Sequence, residues 1–433
     1  MSRLLGITVM PEWIQAEGIE RVLDNLEMAG ANAVATSPYV MAPSNDPIAG
    51  REPPVDAGAG KVRLLDRDLW GKRELRCTTS PSFVPDRALY EGLRYQPAAP
   101  TELTRREGPK VAAFIERAQA RGMTVHLQVQ AAIPPGYRVQ FGGPVPEDQP
   151  LLPDGSHHEG RVDKNGSLAA LEITGYLQSL VADVAKAYPT IDALRLDWPE
   201  YPPYTLDSWL FDFSPHAKVR ARAKGYDWEG LRAAAGRIQA NPALVLDEGL
   251  RSLEVLGRLK ADLSVDVLRA ARVALPEPIK LVAHAFPPPW NRLSGLDFAR
   301  VGGIADDIAV KLYTMHWPMM LKGYLERMNR LDADGAAAIQ RLFDTGDAPL
   351  ADIRYPEPEE AHPVSADAQA RKIEAASRLA PSIHAAAHAY GPLADVIARA
   401  RVAWQASGRR IWLNRYGYLS DAKLQALAAL DGG

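Results

Sequence analysis

Short apolar segments alternate with stretches of helical periodicity along the whole sequence of 433 residues, and this alternation limits the fold more than any other feature. A regular strand–helix alternation is typical of a parallel sheet covered by helices. The predicted strands cover residues 4–10, 31–37, 123–131, 191–197, 279–285, 307–313, 382–388 and 410–413. The predicted helices cover residues 16–29, 108–121, 168–187, 215–274, 319–343, 393–406 and 421–430. Eight parallel strands that alternate with helices are the number that closes a barrel.

We therefore predict an α/β fold made of one (β/α)8 TIM barrel that spans residues 1–433. A doubly wound sheet would have fewer strands and usually a glycine-rich first turn, which is missing here. Long βα loops are expected after strands 2, 3 and 4, with loop insertions at residues 38–106 and 132–166. Both insertions leave the C-terminal end of a strand, where barrels of this kind build their active sites. The acidic, Pro-rich stretch 345–365 precedes strand 7, so we expect it on the other face or at the rim.

The composition argues against several classes of function. The chain has 50 basic and 53 acidic residues, so no basic excess indicates a nucleic acid or an anionic membrane as partner. Cys77 is the one cysteine, which excludes an internal disulfide and a cysteine-based metal cluster. No apolar run approaches the ~20 residues of a membrane span, and the N-terminus begins as a strand rather than a signal peptide. We expect a cytoplasmic protein without cofactor or metal, and its oligomeric state stays open.

Polar and apolar residues separate onto opposite faces of several predicted strands. In strand 6, for example, Ile308 and Val310 share one face while Lys311 and Tyr313 share the other. Because the apolar set must face the helices, the polar set faces the barrel axis. These groups either satisfy one another or, near the C-terminal mouth, bind a polyhydroxylated ligand, and we favour the ligand. The strand residues predicted to bind substrate are His126, Gln128, Gln130, Asp197, His284, Lys311, Tyr313, His388 and Asn414.

Strand 4 carries the candidate catalytic residues. Arg195 and Asp197 are two apart and share a face, so the guanidinium is expected to keep the carboxylate ionised. Glu200 follows beyond the strand end among aromatic residues, where a raised pKa would suit a general acid. Two carboxyl groups with pKa values pushed apart are what glycoside hydrolysis requires. The alternative is a structural Arg–Asp pair with Glu200 as a solvated loop residue.

Aromatic residues are expected around the same mouth, since flat rings stack on sugar faces, although aromatics are also ordinary core material. Glu12, just past strand 1, is the reserve second carboxylate, because strand 7 carries none. The further predicted substrate-binding residues are Glu12, Trp198, Tyr201, Trp290, His316, Tyr390 and Tyr416.

Residues 191–202, IDALRLDWPEYP, resemble the strand-four motif of uncharacterised glycosidase-like TIM barrels, the hypothetical glycoside hydrolase families. In these, a D-G-hydrophobic-x-hydrophobic-D-aromatic run ends in a Tyr-Pro pair. The resemblance covers mainly residues 165–235, with weaker echoes at strands 1 and 8. Relatives often carry a Cys-rich FC-x-x-C stretch where this chain has Phe211–His216 without cysteine. The resemblance implies a glycoside hydrolase or transglycosidase that acts on a small glycoside or oligosaccharide.

The same segment resembles two better-defined strand-four motifs more distantly. The chitinase-type motif, D-x-x-D-x-D-x-E, is similar to the run ending in Glu200, but here one extra residue precedes the Glu and Arg195 replaces an Asp. The amylase-type motif, Arg-x-Asp with the Asp as nucleophile, matches Arg195 and Asp197.

Three other functions remain open from the sequence. Lys311, inward on strand 6, is where class I aldolases of this fold carry their Schiff-base lysine. A metal-dependent hydrolase or isomerase could use His126, His284, His388 and Asp197. However, His384 and His388 are ~13 Å apart along the strand and cannot bind one ion together. A barrel that binds sugars without cleaving them is the third alternative.

Overall fold

The computed structural model describes residues 3–55, 60 and 62–432. Within these residues the strands are β1 (Leu4–Thr8), β2 (Ala33–Thr36), β3 (Tyr39–Pro43), β4 (Gly50–Glu52), β5 (Leu75–Pro81), β6 (Thr124–Gln130), β7 (Ala193–Asp197), β8 (Lys280–Ala285), β9 (Asp307–Leu312), β10 (Ile383–His388) and β11 (Arg410–Asn414). Eight of them form a closed parallel barrel in the order β1–β2–β6–β7–β8–β9–β10–β11, with β11 paired back to β1. The predicted (β/α)8 barrel is confirmed.

The α-helices surround this barrel. They are α1 (Pro11–Glu17), α2 (Ile19–Met28), α3 (Glu102–Glu107), α4 (Pro109–Ala120), α5 (Leu171–Ala187), α6 (Pro215–Ala223), α7 (Trp228–Ala240), α8 (Leu244–Glu248), α9 (Glu254–Ala274), α10 (Trp290–Ser294), α11 (Phe298–Val301), α12 (His316–Arg327), α13 (Ala333–Phe343), α14 (Ala366–Ser377), α15 (Leu393–Ala406) and α16 (Asp421–Leu427). Among the described residues, none of these helices is long and apolar enough to cross a membrane.

Two predicted helical stretches are divided in the structure. The first helix begins earlier than expected, at Pro11, because proline suits the first position of a helix. It ends at Gly18, whose φ of +86° is open to glycine and strained for other residues, and α2 starts on the far side. The region predicted as helical over 215–274 contains the four helices α6 to α9. Residue periodicity identified the helical character of these stretches but not the breaks inside them.

The insertion predicted as a loop over 38–106 contains regular structure. Strands β3, β5 and β4 form a three-stranded antiparallel sheet, and α3 lies at the end of the insertion. In β5 the buried Leu75 and Cys77 alternate with the exposed Arg76 and Thr78, which is the pattern of a strand with one face on a core. That alternation covers only residues 75–78, and β3 and β4 do not show it, so the sheet did not stand out in sequence.

The stretch 345–365 lies on the C-terminal side of the barrel. His362 Nδ1 is 2.7 Å from the hydroxyl of Thr314, which follows the C-terminal end of β9. Tyr390, just after β10, donates its hydroxyl to the Pro356 carbonyl at 3.3 Å. The expectation of the opposite face is therefore wrong, and the rim placement is correct.

Small and large side chains fill the barrel interior in complementary fashion. Ala193, Val282, Ala309 and Ala386 form one buried cluster on the axis. Trp412 fills the neighbouring space, where a Cβ on Gly6 would lie 2.2 Å from the indole ring. The lower barrel is thus closed by packing, so any ligand must bind above this layer at the C-terminal mouth.

Candidate active site

A pocket of about 150 Å³ lies at the C-terminal mouth of the barrel, and we call it the mouth pocket. It is lined by Met10, Ser37, Pro54, Arg63, Gln128, Gln130, Tyr137, Arg138, Val139, Gln140, Asp197, Trp198, Tyr204, Lys311, Tyr313, His388, Asn414 and Arg415. The inward residues at the ends of five barrel strands meet here, and both long insertions contribute to the wall. Of the predicted site residues, Gln128, Gln130, Asp197, Trp198, Lys311, Tyr313, His388 and Asn414 line it.

Asp197, at the end of β7, is the sole carboxylate among the described residues of the pocket wall. Its Oδ1 lies 2.7 Å from Nζ of Lys311 on β9, and its side chain remains 17% exposed. His284 Nδ1 is 3.7 Å from the same oxygen, and the Gln128 amide donates to Oδ2 at 3.4 Å. Burial alone would raise the pKa of Asp197, but the Lys311 ammonium and His284 outweigh it and hold the pKa below its usual value. The pocket therefore presents an ionised carboxylate.

The turn after Asp197 is strained and pinned in place. Trp198 has a φ of +54°, a left-handed conformation that costs energy for a residue with a Cβ. The side-chain amide of Asn165 donates to the carbonyls of Trp198 and Glu200, at 3.0 and 2.7 Å. These bonds fix the turn so that the Trp198 ring lines the pocket. The Glu200 side chain leaves the turn in a different direction and does not line the wall.

Glu200 is fully buried behind the pocket wall. Its Oε1 accepts the Phe286 backbone N–H at 2.9 Å, and its Oε2 accepts the Ser294 hydroxyl. Burial raises the pKa of Glu200 to about 7, against a lowering influence from Lys311 and these hydrogen bonds. Lys311 also lies 5.0 Å above the Phe286 ring, so Glu200 belongs to the same electrostatic environment as Asp197 and Lys311. The alternative of a solvated loop residue is wrong, because this carboxyl is fully buried.

The cation that partners Asp197 is Lys311 rather than Arg195, which corrects the reasoning from strand spacing. Arg195 lies deeper in the barrel, where its guanidinium stacks on Trp412 at 3.3 Å and its Nε donates to His126 Nδ1 at 3.0 Å. Burial lowers the pKa of Arg195 to about 9, and that of His126 well below its usual value. Arg195 and Asp197 lie on the same inward face of β7, as expected. However, they lie at different heights along the barrel axis. Arg195 and His126 form the floor beneath the pocket.

Glu12 belongs to a buried ion cluster beside the pocket. Its carboxylate accepts from Tyr39 Oη at 2.9 Å and from Arg138 Nη1 at 3.1 Å. Glu52 lies 2.6 Å from the same Arg138 nitrogen and also contacts Arg415. Burial and the neighbouring Glu52 raise the pKa of Glu12, whereas the two arginines lower that of Glu52. The guanidinium groups of Arg138 and Arg415 thus line the pocket, and the two carboxylates of the cluster lie behind them.

The remaining predicted binding residues lie outside the pocket wall. Tyr201 donates to Asp212, and Tyr416 donates to Glu17 in the helical layer. The other aromatics are held by ring packing, because rings of this size bury most area between barrel and helices. In that way Trp290 packs on Phe343, His316 on Tyr204 and Tyr390 on Tyr355. His284 reaches the site only through Asp197.

Three arginines of the pocket wall were not predicted from the sequence. Arg63 and Arg138 come from the insertions, and Arg415 follows β11. Loop residues have no periodicity that indicates their direction, so only the folded chain shows them together. Among the described residues, no group of three His, Cys, Asp or Glu side chains is arranged to hold a metal ion.

The solved structures with a similar fold include several glycoside hydrolases. A β-galactosidase from the psychrophilic Marinomonas ef1 is 14% identical over 99% of this chain and 59% of its own, with a TM-score of 0.53. A polyextremophilic β-galactosidase from the Antarctic haloarchaeon Halorubrum lacusprofundi is 12% identical over 99% of this chain and 57% of its own, with a TM-score of 0.54. The barrel is the fold these enzymes share. This chain spans less than two thirds of either β-galactosidase.

The catalytic domain of a β-amylase from Paenibacillus polymyxa matches over nearly its full length. It is 11% identical over 97% of this chain and 94% of its own, with a TM-score of 0.50. No protein-family model matches the sequence, and no curated protein matches it. The predicted similarity to glycosidase-like TIM barrels is thus confirmed at the level of the fold.

Proposed function

We propose that the protein is a glycoside hydrolase, or a transglycosidase, that acts on a small glycoside or oligosaccharide in the mouth pocket. The observation that carries this proposal is the carboxylate of Asp197 in the wall of the mouth pocket, 2.7 Å from Lys311 Nζ, with a second carboxyl, the buried Glu200, three residues along the chain. Asp197 is held ionised and Glu200 keeps its proton to about pH 7. One charged and one protonated carboxyl is the combination that cleavage of a glycosidic bond needs.

Asp197 is the group we assign to the sugar. An ionised carboxylate at the pocket wall either attacks the anomeric carbon or stabilises the positive charge that develops there. Lys311 keeps Asp197 ionised and fixes its position, so the carboxylate needs little reorganisation during the reaction. The rings of Trp198 and Tyr204 offer flat apolar faces beside it.

Glu200 is the proton source we assign, and because its carboxyl does not line the pocket, its proton must reach the leaving group through an intervening group or after the side chain moves into the pocket. Its burial keeps the carboxyl protonated near neutral pH, and both Lys311 and Asp197 influence its ionisation. Arg195 is assigned as a positioning residue of the floor, since it contacts His126 and Trp412.

Aryl glycosides of varied leaving group test these two roles separately. We expect Asp197→Asn to lower kcat/KM at least about 10³-fold for every leaving group. We expect Glu200→Gln to lower kcat/KM about 10²- to 10⁴-fold for glycosides with poor leaving groups. The loss should be small for dinitrophenyl glycosides, because dinitrophenolate leaves without being protonated. An equal loss for all leaving groups in Glu200→Gln would contradict its role as acid. Sugar binding without turnover of any glycoside would indicate a carbohydrate-binding barrel instead.

A second candidate is a Schiff-base lyase or aldolase, because the buried Lys311 presents its Nζ to the pocket. Lys311 Nζ is already engaged by Asp197 Oδ1 at 2.7 Å, whereas a Schiff-base lysine must offer its nitrogen to a carbonyl carbon. Glycoside hydrolysis therefore explains the contact between Lys311 and Asp197 better than a lyase reaction does. Borohydride reduction in the presence of a carbonyl substrate would trap a covalent adduct on Lys311 only if the lyase proposal is correct.

A further inference from the structure

Two glutamines on the inward face of β6, Gln128 and Gln130, contact Asp197 in the wall of the mouth pocket. Gln128 Nε2 donates to Asp197 Oδ2 at 3.4 Å, and the side chain of Gln130, which is paired with Asp197 across the two strands, is also hydrogen-bonded to this carboxylate. An ionised carboxylate only accepts hydrogen bonds, so both side-chain amides turn their NH2 groups towards Asp197. Their carbonyl oxygens therefore point elsewhere.

The two carbonyl oxygens differ in exposure. Gln130 Oε1 is buried in the wall and accepts no hydrogen bond from the part of the chain that the structure describes. Gln128 Oε1 also accepts none from those residues, but it is not a buried atom. Because Gln128 lines the mouth pocket, its carbonyl oxygen is an acceptor that is open to a ligand.

This acceptor lies beside the position where the sugar would react. Asp197 Oδ1 is buried against Lys311 Nζ, so Oδ2 is the carboxylate oxygen that can reach an anomeric carbon. A carbon in position for attack lies ~3–3.5 Å from the attacking oxygen. Gln128 Nε2 is 3.4 Å from the same Oδ2, and amide bond lengths place Gln128 Oε1 ~2.2 Å from its own Nε2. The carbonyl oxygen therefore faces a group next to the anomeric carbon.

The anomeric carbon of a sugar has two ring neighbours, and only one of them carries a proton to donate. The ring oxygen has lone pairs and no proton, so it would repel a carbonyl oxygen. A hydroxyl on C2 donates a hydrogen bond. Hydrogen bonds to this hydroxyl also strengthen in the transition state of glycoside cleavage.

We propose that Gln128 determines specificity, because its Oε1 accepts a hydrogen bond from the hydroxyl on C2 of the sugar in the mouth pocket. The proposal rests on the proposed function and narrows the substrate to glycosides with a free hydroxyl at C2. A 2-acetamido group also carries a donor, its N–H. However, a pocket of about 150 Å³ holds about one six-membered ring, which favours the smaller hydroxyl.

Paired aryl glycosides with and without the C2 hydroxyl test this role. Dinitrophenyl glucosides, mannosides and galactosides of both anomers are each compared with the matching 2-deoxy glycoside, in the wild type and in Gln128→Leu. We expect Gln128→Leu to lower kcat/KM at least about tenfold more for the hydroxy substrate than for its 2-deoxy partner. Each substrate is compared between two proteins, so any difference in intrinsic reactivity cancels. Equal losses on both substrates would overturn the proposal.

Gln130→Leu is the matched control. Gln130 has the same side chain, lies on the same strand and contacts the same carboxylate, but its Oε1 is buried. Both substitutions remove a donor from Asp197, so both should lower activity on every substrate. Only Gln128→Leu should distinguish the hydroxy substrate from the 2-deoxy one. A greater distinction in Gln130→Leu than in Gln128→Leu would show that the assignment to Gln128 is wrong.

Calorimetric titration with free sugars tests the same contact without turnover. The probes are glucose, mannose and galactose, the 2-deoxy analogues of these hexoses, and N-acetylglucosamine. We expect at least one hexose to bind the wild type about tenfold more tightly than its 2-deoxy analogue, and we expect Gln128→Leu to remove that difference. If no hexose binds more tightly than its analogue, the proposal is wrong. Tighter, Gln128-dependent binding of N-acetylglucosamine than of glucose would identify an N–H donor and overturn the hydroxyl.

The two proposals fail in different ways. Hydrolysis of glycosides with equal losses on hydroxy and 2-deoxy substrates in Gln128→Leu would leave the proposed function standing and overturn the role of Gln128. Gln128-dependent binding of a hexose without cleavage of any of its glycosides would support that role and overturn the hydrolase.

Discussion

The buried carboxyl of Glu200 should make the free energy of unfolding depend on pH, and the substitution Glu200→Gln should remove that dependence. Burial raises the pKa of Glu200 from 4.5 to about 7 in the folded state. Between these pH values the folded protein therefore holds a proton that the unfolded chain releases. The stabilising contribution is fully present below pH 4.5 and is lost as the pH rises through about 7.

The size of this effect follows from the shift. Each pH unit of difference corresponds to about 1.4 kcal/mol, so the free energy of unfolding should fall by about 3 kcal/mol across this window because of Glu200. Glu200→Gln abolishes the titration but keeps the local hydrogen bonds. The amide oxygen accepts the Phe286 N–H, and the amide nitrogen donates to Ser294, whose hydroxyl then donates to the Asn291 carbonyl.

Urea unfolding followed by tryptophan fluorescence, at intervals from pH 5 to 9, measures the difference between the variant and the wild type. All other titrating groups are common to both proteins and cancel in that difference. We expect the stability of Glu200→Gln relative to wild type to rise by about 2.5 kcal/mol between pH 5 and pH 8.5, since the window starts above the pKa of the unfolded state. Glu359→Gln, at an exposed glutamate, is the control and should show no such rise. A difference for Glu200→Gln that stays constant with pH would refute the reasoning.

Two further predictions concern Lys311 and Gly6. Lys311→Met removes the ammonium 2.7 Å from Asp197, so the pKa of Asp197 should rise and the acidic limb of the pH–rate profile should move to higher pH; an unmoved limb would mean that another group sets it. Gly6→Ala places a Cβ 2.2 Å from the Trp412 ring and should destabilise the protein by about 1–3 kcal/mol or more in thermal or urea unfolding. Gly236→Ala, in the open middle of α7, is its control and should be neutral or slightly stabilising.

Six of the eight predicted site residues that line the mouth pocket share one property, and the other two, Trp198 and Tyr313, directly follow a strand end. Gln128, Asp197, Lys311 and His388 lie on barrel strands, where side chains alternate between two faces. The residues placed elsewhere, such as Tyr416 and Trp290, follow strand ends or begin helices. There the direction of a side chain depends on the turn that follows, which the local pattern does not report.

The sequence by itself determined the closed barrel and the inward direction of its polar side chains, because both follow from periodicities within a few residues. Tertiary structure alone decided which charges meet. Lys311 rather than Arg195 partners Asp197, Glu200 lies behind the wall, and Arg63 crosses the mouth to reach His388. These contacts join residues that are distant in the chain, and their heights and loop paths are set by the packing of the whole barrel.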